Sequence, residues 1–222
     1  MPVVPKRNEG ELADFYVIAT EEPASAQDLI FQMVTDRIPN AFRLDPMTDV
    51  QVLAPMHRGA VGTVALNERL QEHFSAGRRE YERGSKTWRV GDKVMQTRNN
   101  YDHDIFNGDL GRIVEINTHT KHIGVKFDHR TVSLEVADLD DLALAYAITV
   151  HKAQGSEYPA VIVPLLTQHY VMLQRNLLYT AVTRATKLVI IVGSARAIQM
   201  AVRNDTAHRR YSRLDTRLTE LS

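Results

Sequence analysis

The run Thr149-Val150-His151-Lys152-Ala153-Gln154-Gly155-Ser156-Glu157 sets a hydroxyl, an imidazole, an ammonium and an amide in quick succession. Together they can supply several hydrogen bonds to a phosphodiester or a nucleotide. An apolar lead-in and a following strand put this polar run at the rim of a sheet, where α/β proteins bind ligands. A solvated loop with a helix cap is the competing reading. A second cluster, Tyr179-Thr180-Ala181-Val182-Thr183-Arg184-Ala185, reads as helical. There Thr180, Thr183 and Arg184 fall near one another while Leu177, Leu178, Ala181 and Val182 can face a core. A guanidinium held on such a rigid element can stabilise charge that builds on a transferred γ-phosphate. A surface arginine in an ordinary salt bridge is the alternative. The third cluster, Leu53-Ala54-Pro55-Met56-His57-Arg58-Gly59, ends a buried strand in a polar turn with another arginine. Alone it carries little.

These clusters need a scaffold, and the hydrophobic pattern supplies one. Asp14 to Thr20 is a short β-rich run, followed by a helix start at Pro23, Ala24 and Ser25. Leu29, Ile30, Met33 and Val34 follow at helical spacing, and Ile38-Pro39 is expected to stop that helix. Val50 to Ala54 reads as a second buried strand, and Thr63 to Phe74 as an amphipathic helix with Val64, Leu70 and Phe74 on one side. The alternation predicts an α/β fold, a parallel sheet covered by helices.

From about Trp88 the pattern changes. Lys93 to Thr97, Gly111 to Ile116, His122 to Phe127 and Thr131 to Glu135 are short strands separated by turn signals such as Asn107-Gly108 and Asp128-His129. Close-set strands without an intervening helix predict a small antiparallel barrel inserted into the α/β unit. The acidic stretch Asp138, Asp140 and Asp141 marks the return. Then come apolar Leu142 to Val150, a strand at Ala160 to Pro164, a helix at Asn176 to Ala185, a strand at Leu188 to Val192 closed by Gly193, and a helix at Ala195 to Val202. An arginine-rich tail from His208 to Leu221 is expected to be helical. The division is therefore 1–87 with 139–222 as the parallel-sheet domain and 88–138 as the insert.

Composition narrows the chemistry. Lysine plus arginine (27) equals aspartate plus glutamate (27), so any nucleic-acid surface must be a local patch. Cysteine is absent, which removes disulfides, thiolate nucleophiles and cysteine-based zinc sites. His119 and His122 flank a turn with no third ligand nearby, so no metal site is assigned and both are expected to be solvent-exposed. The N-terminal stretch Met1 to Gly10 has no apolar region, and nothing approaches the roughly 18 apolar residues of a membrane span. A cytoplasmic location and no membrane partner are expected. Nowhere is there a G-x-x-x-x-G-K-[ST] loop to cradle phosphates, nor a buried strand ending in paired acids to hold Mg²⁺.

Four blocks, VQVLAPMHRGAVGTVALNERLQ, GDKVMQTRNNYDHDIFNGDLGRI, AYAITVHKAQGSEYPAVIV and LLYTAVTRATKLVIIVG, resemble in this order the motifs of RecD-like superfamily 1B DNA helicases. They run from Val50 to Gly193. The combination is highly specific, whereas HKAQG alone would indicate only some superfamily 1 helicase. The family's motor has two RecA-like domains with ATP between them and single-stranded DNA across their tops. The resemblance implies that this chain is the second, with helices on both faces of its sheet, and that the antiparallel insert is the family's SH3-like barrel.

By the same resemblance Thr149 and His151 would touch the DNA backbone with Lys152 nearby, while Gln154, Gly155 and Glu157 face the nucleotide, Glu157 near the ribose. Arg184 would be the arginine finger, the catalytic residue, and Arg58 a second phosphate contact. Arg98, Asn99 and Asn100 would line the DNA path at the barrel's edge. ATP and Mg²⁺ are then the cofactors of the full-length enzyme, which in this family moves 5′ to 3′ and serves DNA repair and recombination. The partners are single-stranded DNA, an N-terminal RecA-like domain of the same protein and, in some members, recombination nuclease subunits. The missing phosphate loop lies N-terminal in that family. This chain is accordingly expected to be a truncated segment that is inactive alone and binds neither cofactor stably.

Two other readings compete. A conjugative relaxase-helicase has similar blocks and would be told apart by domains elsewhere. A non-enzymatic module could use the barrel and a basic surface to hold nucleic acid or protein. Residues 78 to 102 carry seven arginines and lysines against four acids, a surplus that a solvated face would also show.

Overall fold

The computed structural model describes residues 13–128 and 130–205. The stretch Met1 to Gly10, His129 of the second turn and the tail from His208 to Leu221 lie outside the described residues.

The chain begins with strand β1 (Phe15–Ala19) and helix α1 (Pro23–Gln32), which has proline in its first turn, where a missing N–H costs nothing. The helix does not stop at Pro39. It widens into a π-helical segment, Met33–Arg37, in which Ile38 N–H donates to Met33 O five residues back, and continues as α2 (Ile38–Phe42). The wider turn relieves the collision that a proline ring makes with the carbonyl four residues earlier. Arg43, at φ 56°, ends it in the left-handed region. Strand β2 (Val50–Ala54) is buried along its whole length. Helix α3 (Thr63–Ser75) buries Leu66, Asn67, Leu70 and Gln71, with Phe74 half-buried. Val64, expected on that face, is 52% exposed, because the buried stripe follows the 63, 66, 67, 70 spacing that sets it outside.

A two-stranded hairpin follows, β3 (Glu80–Arg83) and β4 (Lys86–Arg89), turning at Gly84. Strands β5 (Lys93–Gln96), β6 (Leu110–Asn117), β7 (His122–Phe127), β8 (Arg130–Glu135) and β9 (Leu142–Leu144) form an antiparallel sheet in the order β8-β7-β6-β5-β9. Its core holds Ile113, Ile116, Ile123, Val125 and Leu134, closed over by Trp88 from the hairpin. The Asn107-Gly108 turn is present, with Gly108 at φ 101°. The apolar run from Leu142 to Val150 is not one element. β9 completes the antiparallel sheet, and after Ala145 and Tyr146 the chain crosses to β10 (Ala147–Thr149) beside β2.

Strand β11 (Tyr158–Leu165), helix α4 (Arg175–Val182), strand β12 (Ala185–Gly193) and helix α5 (Ala195–Arg203) complete the parallel unit, whose sheet runs β1-β12-β11-β2-β10. Every pairing in it is parallel. Successive side chains of a strand point to opposite faces, so β11 feeds two cores. Ile162 packs with Ile30, Leu66 and Leu70, while Val161 and Val163 pack with Leu177, Ala181 and Ala197. Helices therefore cover both faces. Each such aliphatic side chain contributes about 1.5–3 kcal/mol on burial, which is why these strands read as continuous apolar runs.

Candidate functional site

The polar run is held by its two ends. Thr149 closes β10, and its Oγ1 accepts the N–H of Lys152 at 3.4 Å, capping a 3₁₀ turn, Val150–Ala153. Val150 and Ala153 are buried beneath that turn while His151 and Lys152 are exposed on it. With its oxygen accepting from the backbone, the Thr149 hydroxyl can still donate its own proton. Gln154 and Glu157 are exposed, and Gly155 sits at φ 88° with open space where a side chain would stand, a conformation that favours glycine.

Arg184 is not on a helix. Helix α4 ends at Val182, and Thr183 and Arg184 form the turn into β12, since β12 must start at Ala185 to pair with Tyr158 of β11. Rigidity comes instead from hydrogen bonds. Arg184 Nε donates to Thr180 O at 3.3 Å, Nη1 to Ser156 O at 3.1 Å and Nη2 to Thr183 Oγ1 at 3.3 Å. All three acceptors are neutral, and no ion pair forms on Arg184 among the described residues. Two of its five N–H groups remain for a ligand. The backbone closes the same junction, because Tyr158 N–H donates to Arg184 O at 2.8 Å.

Elsewhere the predicted residues separate. Thr149 and Lys152 line a cavity of about 450 Å³ together with His57, whose Nδ1 lies 3.0 Å from Thr63 Oγ1. His57 is a candidate the motif reading passed over in favour of its neighbour, although it stands at the same strand end. The signal was the polar turn itself. His151 and Gln154 open on the other side, into a small cavity of about 100 Å³ beside Asn176 and Thr180. Glu157 lies at a third opening with Tyr158.

Arg58 is exposed on the loop between β2 and α3 and lines none of these cavities. That loop supplies Met56 O and His57 O to the N–H groups of Thr63 and Val64, and a Cβ on Gly62 would stand 2.5 Å from His57 O. Arg98 is exposed and 3.5 Å from Asp141. Asn99 takes the Asn107 N–H on its Oδ1 at 2.9 Å, and Asn100 takes the His103 N–H on its Oδ1 at 3.2 Å while its backbone bridges to Ile105, so both side chains brace the β5–β6 loop. His119 and His122 are exposed. No group of three or more histidine, aspartate or glutamate side chains suited to a metal ion occurs among the described residues, and no helix there is long and apolar enough to cross a membrane.

Comparison with known proteins bears on the family and the fold. Residues 144–192, from β9 through β12, match the UvrD-like helicase C-terminal domain, and residues 66–127 match the SH3 domain of ATP-dependent RecD-like DNA helicases. The chain is 44% identical over 152 residues to the ATP-dependent RecD2 DNA helicase of Deinococcus radiodurans, covering 68% of this chain and 21% of that protein. It is 32% identical over 159 residues to the RecBCD enzyme subunit RecD of Mycolicibacterium smegmatis, covering 72% of this chain and 28% of the relative. Thus it spans between a fifth and a third of these relatives' length. In fold it resembles the Pif1 helicase of Bacteroides solved with ADP-AlF3 and single-stranded DNA (TM-score 0.50, 18% identity, 88% of this chain, 49% of that one). It also resembles the Pif1 helicase of Candida albicans (TM-score 0.50, 18% identity, 79% and 50%). The parallel unit is a RecA-like domain and the antiparallel sheet its SH3-like insert. The chain belongs to the RecD-like DNA helicases, as their C-terminal part.

Proposed function

We propose that this chain is the C-terminal motor half of an ATP-dependent DNA helicase moving 5′ to 3′, supplying DNA-backbone contacts and an arginine finger to a site completed by an N-terminal RecA-like domain. The observation that carries this reading is the setting of Arg184, which makes no ion pair among the described residues and is tied through Ser156 to the segment that bears the polar run. A guanidinium bound to a carboxylate would first have to break that pair. Arg184 is instead poised on neutral acceptors, so a γ-phosphate would be its first anionic partner. Arg58, Gln154, Gly155 and Glu157 fill the remaining nucleotide-facing roles, and Mg²⁺ would accompany the phosphates.

On the DNA side, Thr149 donates its hydroxyl proton, and His151 and Lys152 add donors on an exposed turn. Such contacts hold a strand without reading sequence, because phosphates carry no base identity. Arg98, Asn99 and Asn100 extend this path along the insert, whose sheet runs past the expected limit of 88–138 to take in β9 (Leu142–Leu144). Binding a γ-phosphate between Arg184 and the other domain would close the cleft, and its loss would reopen it. In the absence of a G-x-x-x-x-G-K-[ST] loop, the chain by itself turns over no ATP.

The deciding measurement is DNA-stimulated ATP hydrolysis by the chain alone, and after adding the separately purified N-terminal motor domain of a RecD-like relative. Activity only in the mixture is expected, with Arg184→Ala lowering it by about 10³-fold or more while DNA binding is retained. Turnover unchanged by Arg184→Ala would sink the finger assignment, and robust turnover by the chain alone would overturn the half-motor.

A further inference from the structure

The insert's antiparallel sheet buries one face in its own core and turns the other toward the RecA-like unit. On that outer face Arg112 and Val114 of β6 flank the buried Ile113, and Lys126 of β7 stands directly across from Arg112. Thr48, just before β2, and Tyr158, at the start of β11, form the opposite wall of a cleft of about 810 Å³. This is a different opening from the two that hold Thr149 and His151.

Two guanidiniums meet across Gly91. Arg112 Nε donates to Gly91 O at 3.3 Å, and Arg78 lies over Gly91 so closely that an added Cβ would collide with its Nη1. Gly91 also sits at φ 97°, so glycine is required there for backbone and for space. Arg78, Arg112 and Lys126 make no ion pair among the described residues, whereas Arg69, Arg83, Arg89 and Arg130 all do.

Lys93 lies at the floor of the same cleft, 5% exposed, and its Nζ makes one hydrogen bond, to Val50 O at 3.1 Å. Two ammonium protons are left without a protein acceptor. Burial pulls the amine down to about 8, against the opposing pull of Asp45 and Asp49. Four cations thus line a cleft that carries two carboxylates, Asp128 and Glu157.

We propose that this cleft is a phosphate-binding site, with Arg78, Arg112 and Lys126 meeting the anion and Lys93 beneath it. Paired guanidiniums match phosphate oxygens in two-point geometry, and a cation buried with unfilled donors gains most from an anion brought to it. The phosphate would come either from a free di- or triphosphate or from the backbone of a nucleic-acid strand running between insert and RecA-like unit. None of its four cations has a role in the motor reading, and the cleft shares only Glu157 with the nucleotide-facing residues proposed above.

Isothermal titration of the 222-residue chain at low salt, with inorganic pyrophosphate and separately with a short oligothymidylate, tests it. The comparison variant is Arg112→Gln/Lys126→Gln, both exposed positions, with its melting temperature checked against the parent. Pyrophosphate binding weakened about tenfold or more in the variant supports the site with a free phosphate as its source. Oligothymidylate binding alone, weakened to the same degree, supports it with a strand as the source. If neither probe binds, or if the variant binds both as the parent does, the proposal is overturned. A Thr149→Ala/His151→Ala chain is expected to keep pyrophosphate binding, which separates this cleft from the proposed DNA path. Should the double variant fail to fold, Lys126→Gln alone is expected to weaken binding severalfold, and unchanged binding there overturns the proposal equally.

Discussion

His169 shows how a single buried side chain sets a pH limit. It lies 1% exposed in the 3₁₀ segment Thr167–Met172 after β11, where its Nδ1 accepts the Leu166 N–H at 3.3 Å. Burial lowers its pKa from 6.5 to about 4. The folded protein therefore holds it neutral, while the unfolded chain takes up a proton below 6.5. Its contribution is present above pH 6.5 and is lost as pH falls toward 4, on the order of 2 kcal/mol by pH 5. His169→Asn keeps an acceptor near the Nδ1 position and removes the titration. Urea unfolding at pH 7.5 and pH 5 should show that loss in the parent and a smaller one in the variant; equal slopes would refute it. Nothing in the sequence marks His169, one histidine among nine, because its role depends on burial alone.

At the scale of elements, legibility followed the strength of the apolar pattern. The continuous runs of β2, β11 and β12 were plain because both faces of a parallel strand are covered. The hairpin β3–β4 was missed because its eight strand residues, EYER and KTWR, carry three arginines and lysines and two glutamates, and only Trp88 is fully buried. Pro39 misled for a reason the residues themselves do not show: a π-helical turn absorbed it. Arg184 was assigned to a helix because the apolar period runs on into Ala185, yet strand pairing with Tyr158 claims that residue. The motif residues were all visible, but which cavity each would open on depends on long-range packing. Strand register can be tested at Gly193, paired with Leu165, where an added Cβ would collide with Leu165 O, a backbone atom that cannot swing aside. Gly193→Ala should cost about 1–3 kcal/mol in urea unfolding by parting β11 from β12. A variant as stable as the parent would show that this pairing is looser than described.

For the whole molecule, the question is what holds the insert to the RecA-like unit. The junction is polar and buried. Asp92, just before β5, is 0% exposed and accepts Gln71 Nε2 at 2.7 Å from α3, the Arg89 N–H at 2.7 Å from the hairpin and Tyr146 OH at 3.1 Å from the crossing into β10. Tyr146 OH also lies 3.1 Å from Ser75 Oγ, and its ring stacks on Phe74. One carboxylate thus joins the helix, the hairpin and the return strand. Burial raises its pKa despite these three hydrogen bonds, so its charge is costly and its geometry is what the junction needs. Asp92→Asn should therefore be tolerated: its oxygen can serve Gln71 and Arg89, and its amide can donate to Tyr146, whose proton turns to Ser75. Asp92→Ala leaves those buried donors without an acceptor and should cost about 3 kcal/mol. It should also part the two units. Trp88, the only tryptophan, is buried in the insert's core, so its fluorescence follows that unit while far-ultraviolet circular dichroism follows mainly the helices of the other. Coincident urea transitions are expected for the parent and for Asp92→Asn, and separated ones for Asp92→Ala. Coincident transitions in Asp92→Ala would mean that the apolar contacts alone weld the insert to the motor domain.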